Sequence, residues 1–147
     1  MGQQVIERQA TTSADPATVF GLLADGSTWP TWSPIGSFEL EEPGEGAPEG
    51  IGAVRIFRTG RHATRERVVT ARPNETFSYV LVSGMAIRDY QAVVSLEPSG
   101  AGTTIRWRST FRAKIPGLGG VYRRQLGRVI GETVDGLAAT AAPSVLR

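Results

Sequence analysis

Arg88 and Tyr90 stand two residues apart in a stretch, 86–97, that reads as a strand. Period-2 geometry therefore puts both on the face carried by Ala92, Val94 and Leu96. A guanidinium and a phenol on an apolar face make a polar anchor, able to orient a ligand head group or polarise a carbonyl. An unpaired buried charge is costly, so Arg88 calls for an acidic partner or an anionic ligand group. Glu66, which shares a strand face with Thr64 and Val68, is the expected partner. On this reading a ligand with a carboxylate, phenolate or ketone binds better than its hydrocarbon analogue. The alternative is a purely structural ion pair, or an Arg88 that reaches out to the mouth of whatever the face encloses.

His62 is the only histidine. Its position beside Arg61 at a strand start suits a surface residue, although histidine is also the side chain best matched to general-base work near neutral pH. Tyr90, Arg88, Glu66 and His62 are thus the candidates if the protein catalyses anything. There is no cysteine and the acidic residues are scattered, so no metal site is expected. Ser33 and Ser109 have no histidine or acid at triad spacing. The glycine-rich segment 44–52 lacks the Lys-Ser/Thr ending of a phosphate-binding loop. No cofactor is expected.

Trp32, Tyr79, Trp107, Phe111 and Tyr122 are the large side chains expected to face inward, either as ordinary core or as the wall of a ligand site. Trp29 is assigned to packing of its own helical turn. Gly127 and Gly131 lie four apart on one face of a long helical stretch, where each costs about 1 kcal/mol relative to alanine. They either leave room for a ligand or let the helix pack closely on a sheet.

These residues need a frame. Residues 5–12 read as a first strand. Ser13 or Asp15 serves as N-cap, and Pro16 opens a helix with an apolar face of Val19, Phe20, Leu22 and Leu23. Gly26 suits its C-cap. Residues 27–34 (STWPTWSP) form a short helical turn, then a break. Strands are expected over 35–40, 53–58, 61–71, 76–83, 86–97 and 103–113, with an exposed Gly/Pro/Glu loop over 41–52. In the last strand Ile105, Trp107, Ser109 and Phe111 alternate with Arg106, Arg108, Thr110 and Arg112. Residues 119–141 carry Tyr122, Leu126, Val129, Ile130, Thr133, Val134, Leu137 and Ala141 at helical spacing. Residues 144–147 close the chain as a frayed tail.

The expected fold is α+β: a curved antiparallel sheet of about seven strands wrapped around a long C-terminal helix, with two short helices after the first strand. One domain over 1–147, with its core at about 5–141, fits 147 residues of 40% hydrophobic and 20% charged composition. Net charge is only +2 and the arginines are dispersed, so nucleic-acid binding is not expected. No apolar run suggests a signal peptide or a membrane span, which implies a cytoplasmic protein with no integral membrane association, either monomer or homodimer.

Four stretches resemble the START-like, or SRPBCC, superfamily and within it the bacterial polyketide cyclase/dehydrase and lipid-transport family. They are Ser13-Ala14-Asp15-Pro16 with Val19-Phe20 and Leu22-Leu23; Asp25 with Trp29-Pro30-Thr31-Trp32-Ser33-Pro34; Arg65-Glu66-Arg67-Val68 with Pro73 and Phe77-Ser78-Tyr79; and Arg88-Asp89-Tyr90 with the run from Gly102 to Trp107. The resemblance implies a helix-grip fold whose cavity, between the sheet and the C-terminal helix, binds a small lipid- or polyketide-like molecule. Ligand contacts would then come from Trp32, Glu66, Tyr79, Arg88, Tyr90, Trp107, Phe111, Tyr122, Gly127 and Gly131. Two alternatives go with the resemblance: a cyclase, aromatase or dehydratase acting on a polyketide-like substrate, and a protein-interaction module.

Overall fold

The computed structural model describes residues 2–143, so the expected frayed tail at 144–147 lies outside the described residues. Strands β1 (Gln4–Thr12), β2 (Ser37–Glu42), β3 (Val54–Thr59), β4 (His62–Arg72), β5 (Thr76–Ser83), β6 (Ile87–Ser99) and β7 (Gly102–Ala113) form one antiparallel sheet in the order β1-β7-β6-β5-β4-β3-β2. From β2 onward the chain is a meander. Between β1 and β2 it crosses from one sheet edge to the other through α1 (Pro16–Ala24), a 3-10 turn (Gly26–Thr28) and α2 (Trp29–Trp32). Helix α3 (Gly119–Ala141) lies against β1 and β7 and closes the concave face. This is the helix-grip arrangement expected from the sequence.

Local chemistry explains the element boundaries. Asp15 caps α1: its Oδ1 accepts from the Thr18 backbone N–H at 2.9 Å and the Thr18 hydroxyl at 2.7 Å, and Pro16 follows at the first helical position. Gly26 is not the C-cap. Helix α1 ends at Asp25, and Gly26 is glycine because the Phe38 ring would lie 2.3 Å from a Cβ there. On α3 the buried stripe is Gly127, Ile130, Thr133, Val134, Leu137, Ala138 and Ala141, as a 3.6-residue period requires. Gly136 admits the Trp32 carbonyl oxygen, which would stand 1.9 Å from a Cβ, and so docks α2 on α3. On β7 the expected alternation holds: Ile105, Trp107, Ser109 and Phe111 are buried and Arg106 and Arg108 exposed.

The apolar faces of sheet and helices meet in one cluster that includes Leu23, Trp29, Phe57, Phe77, Tyr79, Val94, Trp107, Phe111, Ile130 and Leu137. No helix among the described residues is long and apolar enough to cross a membrane.

Candidate functional site

Between the concave sheet face and α3 lies a cavity of about 240 Å³. Its apolar wall includes Trp29, Ile35, Phe57, Met85, Leu126, Val129 and Ile130. Polar groups reach it from Glu66, Tyr79, Tyr90, Trp107 and Thr133, with Thr59, His62 and Thr64 on the β3–β4 hairpin. A second hollow of about 430 Å³ adjoins it and shares His62, Met85, Leu126 and Val129; Tyr122, Gln125 and Arg128 of α3 form its other side. The first is the inner chamber and the second its vestibule.

The electrostatic centre is a pair of charges on neighbouring strands. Arg55 is fully buried and sits directly opposite Glu66 in the β3–β4 ladder. Its guanidinium carbon lies 5.0, 5.1 and 4.9 Å from the rings of Trp29, Phe57 and Phe77, a cation–π enclosure on three sides. Arg55 Nη1 donates to the Leu23 carbonyl at 3.0 Å and to Glu49 Oε1 at 3.2 Å. The same Glu49 oxygen accepts from the Gly26 backbone N–H at 2.7 Å, so one carboxylate ties the β2–β3 loop to the turn after α1.

Arg55 does not line the chamber, whereas Glu66 does. Burial pushes the Glu66 carboxyl up to about 7, and the opposing charge of Arg55 offsets only part of that rise. Burial likewise raises the phenol of Tyr79 well above its ordinary value and that of Tyr90 to about 12, so both are neutral hydrogen-bonding groups. Tyr90 Oη and Ser109 Oγ are 2.9 Å apart, and the rings of Tyr79 and Tyr90 lie side by side at 6.3 Å. The chamber thus holds one carboxyl that can gain or lose a proton near neutrality, two neutral phenols and an indole N–H.

Several sequence expectations are corrected here. Arg88 does not share a face with Tyr90: it is exposed, while Ile87 and Tyr90 are both buried. Asp89 takes a left-handed backbone, φ 55°, and the β6–β7 register shifts between Arg88 and Gln91, so a bulge reverses the alternation. Arg88 stands opposite Arg112 rather than beside Glu66, and the anchor for an acidic ligand loses its basis. Trp32 packs behind Trp29 with its Nε1 donating to the Thr28 hydroxyl at 3.0 Å, away from the chamber wall. Phe111 is core against Tyr90. Gly127 and Gly131 face the side chain of Arg8 instead of a ligand: its Nη2 would lie 2.5 Å from a Cβ at Gly127, which opens space for it, whereas a Cβ at Gly131 would only touch it at 3.5 Å.

Glu66, Tyr79, Tyr90 and Trp107 are brought together in the inner chamber, Tyr122 stands at the vestibule, and His62 is exposed at the junction of the two. Trp29 does more than pack its own turn: it stacks on Phe57 at 4.9 Å and lines the chamber. Sequence reasoning missed Arg55 and Glu49. The signal for Arg55 was its place in Val54-Arg55-Ile56-Phe57, a charge inside an apolar strand and on the same face as Phe57; Glu49, in a loop, had none.

Comparison with known proteins bears on the family and the fold. The model of the family described as polyketide cyclase / dehydrase and lipid transport matches residues 3–142, and the chain belongs to that family. Among solved structures, a START superfamily protein from Mycobacterium smegmatis superposes with a TM-score of 0.81 at 14% identity, over 95% of this chain and 97% of that one. A protein from Thermobifida fusca gives 0.78 at 22% identity, covering 93% and 92% of the two chains. Ara h 8.0201 gives 0.74 at 20% identity, covering 95% and 98%. These likenesses show that the fold is shared. Comparison with curated protein sequences finds no match. Family and fold are consistent with binding of a hydrophobic ligand.

Proposed function

We propose that this protein binds a small hydrophobic molecule, lipid- or polyketide-like, in the chamber between the sheet and α3, and that it acts as a carrier or receptor for it. The observation that carries this reading is the chamber itself: about 240 Å³ of space walled mainly by Trp29, Phe57, Met85, Leu126, Val129 and Ile130, with a wider vestibule at one end. Ligand sites are typically concave and mostly apolar, with few polar groups fixing orientation. The polar groups at this one are Glu66, Tyr79, Tyr90 and Trp107. Native mass spectrometry of the protein purified from its own host tests the proposal. A co-purifying apolar molecule, at one per chain, is expected; consistently bare protein that also takes up no apolar probe would count against it.

One observation favours a second reading, an enzyme of the cyclase or dehydratase kind. A carboxyl poised near neutrality can both accept and return a proton, which is what such a reaction asks of a single residue. Glu66 would then be the acid/base, with Tyr79 and Tyr90 as neutral hydrogen-bond partners of the substrate oxygens. Turnover of a polyketide-like substrate that is lost in Glu66→Gln would separate this from simple carriage.

A further inference from the structure

Two buried polar atoms on residues that line the chamber have no hydrogen-bond partner among the described residues. One is an acceptor, Glu66 Oε1, and the other a donor, Trp107 Nε1. Other polar groups there are engaged, Tyr90 with Ser109 at 2.9 Å and the Thr133 hydroxyl with the Val129 carbonyl at 2.8 Å. Buried polar groups are nearly always paired, so two orphans on residues of one cavity lining are an exception that a ligand entering beside them can resolve. They belong to β4 and β7, which are separated in the sheet by β5 and β6, so they address two different points on a bound molecule.

We propose that the chamber is specific for a neutral, hydroxylated apolar molecule, one that donates a hydrogen bond to Glu66 and presents an oxygen to the indole N–H of Trp107. This rests on the carrier reading above and narrows it to phenols, diols and hydroxyketones. A hydrocarbon satisfies neither orphan, and an ether or ketone only accepts. A carboxylate meets the acid of Glu66, while the nearest buried cation, Arg55, is enclosed by Trp29, Phe57 and Phe77 and does not line the chamber. Discrimination against an acidic ligand is thus the reverse of what an inward Arg88 would have produced.

The test uses one ring system throughout. Naphthalene, 2,6-dimethoxynaphthalene, 2,6-dihydroxynaphthalene and 2-naphthoate are titrated into the full chain at pH 8 by calorimetry. A hydrogen bond to a charged group is strong enough to favour the diol over its dimethyl ether by about tenfold or more. The naphthoate is expected to bind most weakly. Glu66→Met should abolish the diol's advantage over the ether, and Trp107→Phe should abolish the ether's advantage over naphthalene. The order of the four ligands on the wild-type chain needs no variant to fold. Equal affinities for naphthalene, ether and diol would overturn this proposal and leave carriage standing, as would a preference for naphthoate. Failure of all four to bind would overturn both.

Discussion

Arg55 and Glu66 face each other across the β3–β4 ladder on the concave side of the sheet, with only 0% and 8% of their surface exposed. Yet they are not equivalent. The cation is wrapped by three aromatic rings and held through Nη1 by Leu23 and Glu49, its Nε and Nη2 having no hydrogen-bond partner among the described residues, while the acid belongs to the chamber lining and its Oε1 likewise has none. Burial of an ion pair is weak grounds for stability, because desolvation can exceed the Coulombic gain. Here burial works against both charges, lowering the Arg55 guanidinium as it raises the Glu66 carboxyl, and the shift on Glu66 reaches neutral pH, with measurable consequences.

The first is a pH dependence. The carboxyl titrates at about 7 in the folded chain, against an ordinary 4.5. The folded state therefore binds this proton more tightly than the unfolded state. Stability from this group is full below about 4.5, falls as pH rises toward 7 and is flat above it. The fall amounts to roughly 3 kcal/mol. Glu66→Gln should remove it, so the variant matches or exceeds the wild type at pH 8. Urea unfolding of both proteins at pH 5 and pH 8 checks this; a wild type that gains stability between those values, through this residue, would contradict it.

Arg55→Met removes the cation but keeps an apolar stem among Trp29, Phe57 and Phe77. Glu66 and Glu49 lose their counter-charge. Breaking a buried pair in this way typically costs about 3–5 kcal/mol. The loss should be larger at pH 8 than at pH 5, where Glu66 is protonated. Denaturation midpoints at the two values give the comparison.

Arg88→Met is predicted to do little. The side chain is exposed, and surface substitutions usually stay within about 0.5 kcal/mol. Thermal stability and the affinity for any chamber ligand should both be unchanged, a result incompatible with an inward-facing Arg88.

The α3 glycines separate propensity from packing. At Gly131 the nearest atoms to a Cβ are those of Arg8, at 3.5 and 3.8 Å, an ordinary contact. Gly131→Ala should stabilise by up to about 1 kcal/mol through helix propensity. At Gly136 a Cβ would meet the Trp32 carbonyl at 1.9 Å, and backbone cannot swing aside. Gly136→Ala should cost about 1–3 kcal/mol, the usual range for overpacking. Equal effects from the two would show that α2 does not dock there.

What could be read in the sequence follows from how local its cause was. Helix α3 was legible because its apolar stripe keeps a 3.6-residue period for about four turns, and β7 because Ile105, Trp107, Ser109 and Phe111 keep a period of two. Trp107 and Tyr90 were placed inward by the same parity, whereas Tyr79 was named for its large aromatic side chain and Glu66 as a partner for Arg88, a place that Arg55 takes. Arg88 went astray because strand parity holds only between bulges, and Asp89 gives no local sign that it adopts a left-handed backbone. The role of Arg55 depends on Glu49 and Leu23, 6 and 32 residues away, and no spacing rule connects them. Gly127 and Gly131 were rightly placed on one face, but Arg8 occupies the space they leave, which only the packing of β1 on α3 reveals.

The proposed function requires the chamber between sheet and α3 to take up an apolar molecule. Titration of 2,6-dihydroxynaphthalene into isotope-labelled protein, followed by NMR, tests it most directly. One-to-one, saturable shifts are expected of the indole N–H signals of Trp29 and Trp107 and of amides near Tyr79, Tyr90 and Thr133, with Arg106 and Arg108 on the outer face unmoved. Saturable shifts confined to the outer face, or none at any concentration, would contradict it.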